Sequence, residues 1–351
     1  MRAAAATFTM RGRGTLQDAI DRLGFIQADP MRAPARAQDL ILRHRVRGHH
    51  INDLERRYPT LRVHEDVLHE YGFASDRLHR ALHPRIVNGW RAQSVGSDLE
   101  LRVLEFVRNN GPTHPLELSR VMGAERSVGP WGSQSRATTL AMNTLHYRGE
   151  LRIARREKGV RLYEVAPQRG RPLEPEERAL EAARALVGLL SPSPKSTLKT
   201  WLRYVARRLP PTPGFDALNA LLEKGEIEAF MVDGVAYLAA SGWDRGAPER
   251  EVRFLAPFDP IVWDRRRFEQ VHGWPYRLEA YTPVAKRKFG YYALPILWED
   301  SVVGWVNAKV LKATDLSLDV GYARAAPTSR PFKAAFNREV ERLRVFLELP
   351  T

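Results

Sequence analysis

The sequence contains no cysteine. That excludes a disulfide framework, thiolate-bound zinc, iron–sulfur clusters and any cysteine nucleophile. Lysine is scarce as well: nine of the 55 basic residues are lysine, and the first is Lys158, so the opening 157 residues offer no side-chain amine for a Schiff base. No apolar run approaches the roughly 20 residues that a membrane-spanning helix needs. The stretch Met1–Met10 is too short and too weakly apolar for a secretory signal before Arg11-Gly12-Arg13 interrupts it, so a soluble, cytoplasmic protein is expected. Phosphate-binding and dinucleotide glycine spacings are missing, as is a Gly-x-Ser-x-Gly elbow. His44, His49 and His50 have no carboxylate at His-Glu-x-x-His spacing, and neither a metal nor a cofactor is expected. Ser191-Pro192-Ser193-Pro194 reads as a turn.

What is present is positive charge. Arginine and lysine number 55 against 41 acidic residues, a formal charge of +14 in a 351-residue chain. With 44% hydrophobic and 27% charged residues the chain is globular, and its length suits two or three domains. A folded protein of this charge calls for a polyanionic partner, of which nucleic acid is the usual one.

Four regions separate by pattern. The first, to about Trp90, reads as helices, including Leu16–Leu23 and Ala33–His44. The second, about Asp98 to Pro167, predicts helices over Leu99–Asn109, Leu116–Met122 and Ser133–Tyr147, with Ser133 as a cap. A β-hairpin follows, Leu151–Arg155 and Val160–Val165, turning at Glu157-Lys158-Gly159. Three helices and a hairpin make a winged helix. The third region, about Glu174 to Ala240, repeats the scheme: Leu145-His146-Tyr147-Arg148-Gly149-Glu150-Leu151 is echoed by Leu221-Leu222-Glu223-Lys224-Gly225-Glu226-Ile227, and each leads to a tyrosine-bearing strand (Tyr163, Tyr237). The fourth changes to a period of two, with strands over Arg277–Thr282, Tyr291–Trp298, Val302–Lys309 and Leu316–Val320, a small antiparallel sheet or barrel closed off by a helix over Phe332–Leu347.

The most pointed local feature is Phe25-Ile26-Gln27-Ala28-Asp29-Pro30. Pro30 disfavours helical dihedrals at Asp29, and in an extended chain residues two apart share a side. Gln27 and Asp29 would then hold one water, the amide orienting it and the carboxylate accepting its proton. The plainer reading makes Asp29 the N-cap of the helix behind it, with Pro30 at the first helical position. A second feature, Ala285-Lys286-Arg287-Lys288-Phe289-Gly290-Tyr291-Tyr292, sets cations beside aromatics. That mixture suits phosphate contacts with stacking or wedging at bases, or else an exposed turn leading into a buried strand. Asp264-Arg265-Arg266-Arg267 is a solvated charge run or a further set of phosphate contacts. Arg136, Asn143 and Arg148 would touch DNA if their helix faces a groove.

Several separate motifs, in order along nearly the whole chain, resemble the AlkZ/YcaQ-type winged-helix DNA glycosylases of alkylation and interstrand-crosslink repair. They are Leu23–Pro30 with Ala35–Leu42; Trp131-Gly132 with Arg148-Gly149-Glu150-Leu151; Phe254–Arg267; Tyr281–Arg287; and Gly290–Pro295. The resemblance implies an α+β fold of tandem winged-helix domains followed by a small C-terminal β-barrel and a terminal helix. The domains would span residues 1–95, carrying the Gln-x-Asp motif, 96–170, 171–245 and 246–351. It implies a catalytic Gln-x-Asp motif at Gln27 and Asp29; the DNA contacts expected from the basic and aromatic residues are Arg36, Arg136, Arg148, Arg265, Arg266, Lys286, Arg287, Lys288 and Phe289. The expected enzyme is a monomeric, monofunctional glycosylase acting on double-stranded DNA in base excision repair, associated with the nucleoid in a prokaryote. It would release N7-alkylguanine-type bases, unhook crosslinks and leave an abasic site. One departure stands out: the family's Tyr-Trp-x-His-Glu pattern is replaced by Tyr71-Gly72-Phe73-Ala74-Ser75, which alters the wall of the lesion pocket. A non-enzymatic winged-helix protein, a regulator or DNA tether, would share the charge and the repeat but have no use for Gln27 and Asp29. A metal-dependent nuclease would make strand cuts that EDTA abolishes.

Overall fold

The computed structural model describes residues 10, 14–86, 97–128, 134–167, 170–243, 248–312 and 314–350. Trp131-Gly132, the expected Ser133 cap and the stretches 1–9 and 11–13 lie outside the described residues. The chain divides into two compact units, one of residues 1–54, 184–201 and 218–351, the other of residues 55–183 and 202–217.

In the second unit the helices Ser97–Asn110, Pro115–Met122 and Ala137–Arg148 are followed by the hairpin Leu151–Glu157 and Val160–Val165, the order read from sequence. Pro115 stands at the start of its helix, where a missing N–H costs nothing, and His114 caps it by accepting from Leu116 N at 3.0 Å. The hairpin turns on Lys158 (φ 47°) and Gly159 (φ 83°), the paired left-handed residues that a two-residue turn requires. The same unit corrects the expectation that the first region is helical throughout. Val63–Val67 and Tyr71–Ser75 form an antiparallel hairpin in which nearly every residue is buried, including His64, Glu65 and Asp66. A strand buried on both faces shows no alternation, and charged residues inside it mask the apolar run that would mark it.

The echo between the two heptapeptides is structural. Gly149 (φ 88°) and Gly225 (φ 66°) each end a helix in a left-handed turn. Glu150 N then donates to Leu145 O at 2.9 Å, and Glu226 N to Leu221 O at 3.0 Å. Tyr163 bridges Thr113 between the first two helices of its repeat, and Tyr237 pairs with Pro194 at the equivalent place in the other.

The first unit opens with the helix Leu16–Leu23, whose Thr15–Asp18 capping box satisfies the free N–H groups and whose Leu16, Ala19, Ile20 and Leu23 are fully covered. The strand Phe25–Gln27 follows. The next helix is shorter than predicted, Ala37–Leu42 rather than Ala33–His44, with Arg36 as its N-cap. Pro34 lies ahead of it and cannot donate to a helical ladder. Further on, Val252–Phe254, Leu294–Trp298, Ser301–Leu311 and Asp315–Tyr322 form an open four-stranded antiparallel sheet in that order. Among the described residues its first and last strands do not pair, so an open sheet stands where a closed barrel was expected. The expected strand over Arg277–Thr282 is irregular: Tyr276 and Glu279 are buried, but no neighbour supplies a ladder. Asp264-Arg265-Arg266-Arg267 is not a plain charge run either. Asp264 caps the helix Arg265–His272, and Arg267 is buried, donating to Pro192 O at 2.9 Å.

The terminal helix Arg330–Phe346 packs on Val252–Phe254, with the Phe336 ring 5.4 Å from that of Phe254. Its fully buried Glu339 accepts from Arg43, from Phe254 N at 3.0 Å and from Arg342 at 3.1 Å. Nearby, Arg45 and Asp259 form a bidentate pair at 2.7 and 2.9 Å with neither side chain exposed.

Candidate active site

Gln27 ends its strand and is 8% exposed, whereas Asp29, past the strand end, is half-buried. Pro30 has no N–H, so the first donor after Asp29 is Met31 N, which bonds the Asp29 carboxylate Oδ1 at 2.8 Å. The helix starts only at Ala37 with its own N-cap, which overturns the reading of Asp29 as a helix cap. Among the described residues Met31 N is the sole hydrogen-bond partner of this carboxylate, which leaves Oδ2 for something else. Gln38, buried on the helix behind, receives Asp29 N at 3.4 Å and so braces the backbone. Burial lifts the Asp29 carboxyl above its ordinary 3.8, against the smaller downward pull of the Met31 N–H. A carboxylate in this state is a better base than a solvated one.

Residues from the far end of the chain surround it. Tyr291 donates its hydroxyl to Met31 Sδ at 3.5 Å, which brings the Gly290–Pro295 motif beside the Asp29 turn. Tyr292 is 2% exposed, with its ring edge-on to Phe258. Burial first, then the negative charge of Asp29, holds its phenol well above the usual range, so it stays protonated. Arg265 lies over the Tyr276 ring at 4.6 Å and donates to Val262 O at 2.8 Å. Burial lowers its pKa, opposed by the neighbouring Tyr276, Tyr292 and Asp264. The Asp29 turn thus has Tyr291 on Met31 and the charge of Asp29 acting on Tyr292, while Tyr276 and Arg265 act on Tyr292 in turn. The sequence shows Gln38, Tyr291 and Tyr292 only within longer motifs, not as neighbours of Asp29, because only folding brings the two tyrosines to that turn.

The other predicted contacts divide. Arg266, Lys286 and Lys288 are exposed; Arg36, Arg136, Arg265 and Arg287 are half-exposed. Arg287 folds back on Thr282 O at 2.8 Å and over Tyr291 at 5.3 Å. Arg148 is bound to Glu100 at 2.7 Å, so its charge is used within the fold. Phe289 does not project as a wedge: it packs among Trp274, Tyr276 and Trp305 at ring separations of 5.2, 6.2 and 5.0 Å. The exposed apolar side chains of this loop are Tyr281 (88%) and Val284 (77%). The loop is anchored from below, where one carboxylate oxygen of Glu279 accepts from Lys288 N at 2.8 Å, Phe289 N at 2.7 Å and Gly290 N at 3.3 Å.

His44 and His49 are placed within the fold, on Phe254 O at 3.0 Å and Asp39 at 3.3 Å. Among the described residues one group has metal-like spacing, Asp66, His79 and His83 in the second unit. Its carboxylate is already taken by His79 at 2.6 Å, His83 at 2.9 Å and the Arg85 guanidinium at 2.8 Å. A buried arginine at that distance neutralises the charge a cation would need, and the cluster reads as a structural network.

Two comparisons concern the chain as a whole. The family described as DNA glycosylase AlkZ-like matches residues 20–346. The fold is similar to the DNA glycosylase AlkZ of Streptomyces sahachiroi, with a TM-score of 0.68 at 15% identity, over 99% of this chain and 96% of that one. Among the described residues, no helix is long and apolar enough to cross a membrane.

Proposed function

The chain belongs to the AlkZ-like DNA glycosylase family, and from that premise we propose that Asp29 is its catalytic carboxylate, acting on the N-glycosidic bond of alkylated purines. The observation that carries the reading is the state of this side chain: half-buried, raised in pKa by desolvation, and with one oxygen unengaged among the described residues. Alkylation at N7 or N3 makes the purine cationic, so it leaves with the bonding electron pair and needs no proton. What remains is an oxocarbenium-like sugar and a water that must reach C1′. Asp29 stabilises the cation by charge and accepts the water's proton as the new C–O bond forms; Gln27 aligns the water. The released proton passes to solvent.

The absence of lysine before Lys158 favours a monofunctional reaction that leaves an abasic site. We read the two helix-and-hairpin repeats as winged-helix modules, and Arg266, Lys286 and Lys288 as phosphate contacts on duplex DNA. In this reading the enzyme also unhooks interstrand crosslinks of the N7-alkylguanine type and works as a monomer. The test is direct. Wild-type protein incubated with duplexes carrying N7-methylguanine or a nitrogen-mustard crosslink should release free modified base and leave alkali-labile sites. Asp29→Asn should bind the same duplexes yet lose about 10²-fold or more in rate. Wild-type protein that releases no base, or cuts strands only when a metal is present, would refute the reading.

A further inference from the structure

We propose that Tyr292 is a positioning residue for Asp29: its hydroxyl, unpartnered among the described residues, becomes a hydrogen-bond donor to the Asp29 carboxylate once substrate is bound. The inference deepens the proposed role of Asp29 and rests on it.

A buried phenol without a partner is unusual, because most buried polar groups are satisfied and each exception calls for an explanation. Tyr292 Oη is fully covered and has no hydrogen-bond partner among the described residues. Its ring is fixed edge-on against Phe258. The adjacent Tyr291 is tied to Met31, whose backbone N–H in turn holds Asp29 Oδ1. The charged and titratable groups that bear most on Tyr292 are Asp29, Tyr276, Arg265 and Tyr291. Tyr276 has a partner of its own in Ala293 O at 2.7 Å, and Arg265 offers only donors. Asp29 therefore supplies the one charged acceptor in that set. In the free protein its Oδ1 is turned to Met31 N, and among the described residues the second oxygen has no donor. A donor left unsatisfied in the free enzyme and satisfied in the reacting complex stabilises only the latter, which is where an interaction raises rate. Hydrogen bonds of this kind are commonly loose in free enzymes and tighten with substrate.

The experiment is Tyr292→Phe, which keeps the ring and removes one oxygen, assayed with an N7-methylguanine duplex over a range of pH. Expected are duplex affinity weaker by no more than about tenfold, an unchanged or slightly higher melting temperature, and kcat lower by about ten- to a hundredfold. The pH profiles give the sharper readout. The acid limb of kcat, which reports the bound enzyme, should move to higher pH because the carboxylate has lost a donor; the limb of kcat/KM, which reports the free enzyme, should stay in place. A lower melting temperature with both limbs unmoved assigns Tyr292 to packing and overturns the inference. Wild-type kcat in the variant also overturns it. Failure of the underlying reading looks different: wild-type protein then releases no base, or Asp29→Asn remains active, whatever Tyr292→Phe does.

Discussion

Replacing Arg45 by methionine should destabilise the first unit severely, and the structure says by how much. The guanidinium meets both oxygens of Asp259 at 2.7 and 2.9 Å, and both side chains are fully buried. Asp259 Oδ1 also accepts from Ile261 N at 3.0 Å. Without the arginine, that backbone N–H is the only donor shown to the carboxylate among the described residues, and the charge loses its paired counter-ion, keeping only the unpaired attraction of Arg267. Breaking a buried pair from one side costs about 3–5 kcal/mol, chiefly the desolvation of the abandoned charge. For a unit of this size that loss lowers the melting temperature by roughly 10 °C or more. The companion change Asp259→Asn removes the charge while keeping an oxygen for Ile261 N. The double variant should therefore be less destabilised than the sum of the two single ones. Thermal and urea unfolding of all four proteins measure this cycle. Arg45→Met within about 1 kcal/mol of wild type, or a double variant as poor as the sum, would refute the reasoning, since either result means no charge is stranded.

Further expectations concern activity and solution behaviour. Because burial raises the Asp29 carboxyl above 3.8, the excision rate should fall on acidification at a higher pH than a solvated aspartate would give, as a pH–rate profile will show. Burial pushes His146 down from 6.5 to about 4 and lowers His79 and His83, so the unfolded chain binds more protons than the native one in this window. Stability is then complete above pH 6.5 and falls as pH drops toward 4, by up to about 1.4 kcal/mol per unit for each such histidine, measurable by urea titration at stepped pH. Gly290 has φ 109°, and an added Cβ would stand 2.4 Å from Asn307, so Gly290→Ala should cost roughly 3 kcal/mol by melting temperature. Alanine at both Lys286 and Lys288 should weaken binding to all duplexes alike and flatten the logarithmic salt dependence by about 2.

What the sequence revealed and what it hid have physical causes. The helix Leu16–Leu23 and the hairpin around Lys158-Gly159 were legible because each buries one face and its turn chemistry is local. The hairpin Val63–Val67 and Tyr71–Ser75 was not, because His64, Glu65 and Asp66 lie inside it and are neutralised by partners distant in sequence, such as Arg156 on Glu65 at 2.6 Å. Open sheet and closed barrel share the same alternation, and only the pairing of the outermost strands separates them. Asp29 was visible as a candidate from Pro30 beside it. Its raised pKa and the neighbouring Tyr292 depend on the chain's far end folding onto that turn, which no local spacing records.

The three N–H groups converging on Glu279 have a kinetic consequence. A basic loop without such an anchor would surrender conformational freedom on meeting a phosphate backbone, and that loss would slow capture. Here the backbone at Lys288, Phe289 and Gly290 is already held, so under the proposed role of this loop its capture of a duplex should be governed by long-range attraction and diffusion. Loosening the anchor with Glu279→Gln would leave the cations in place while handing part of the search time back to the loop.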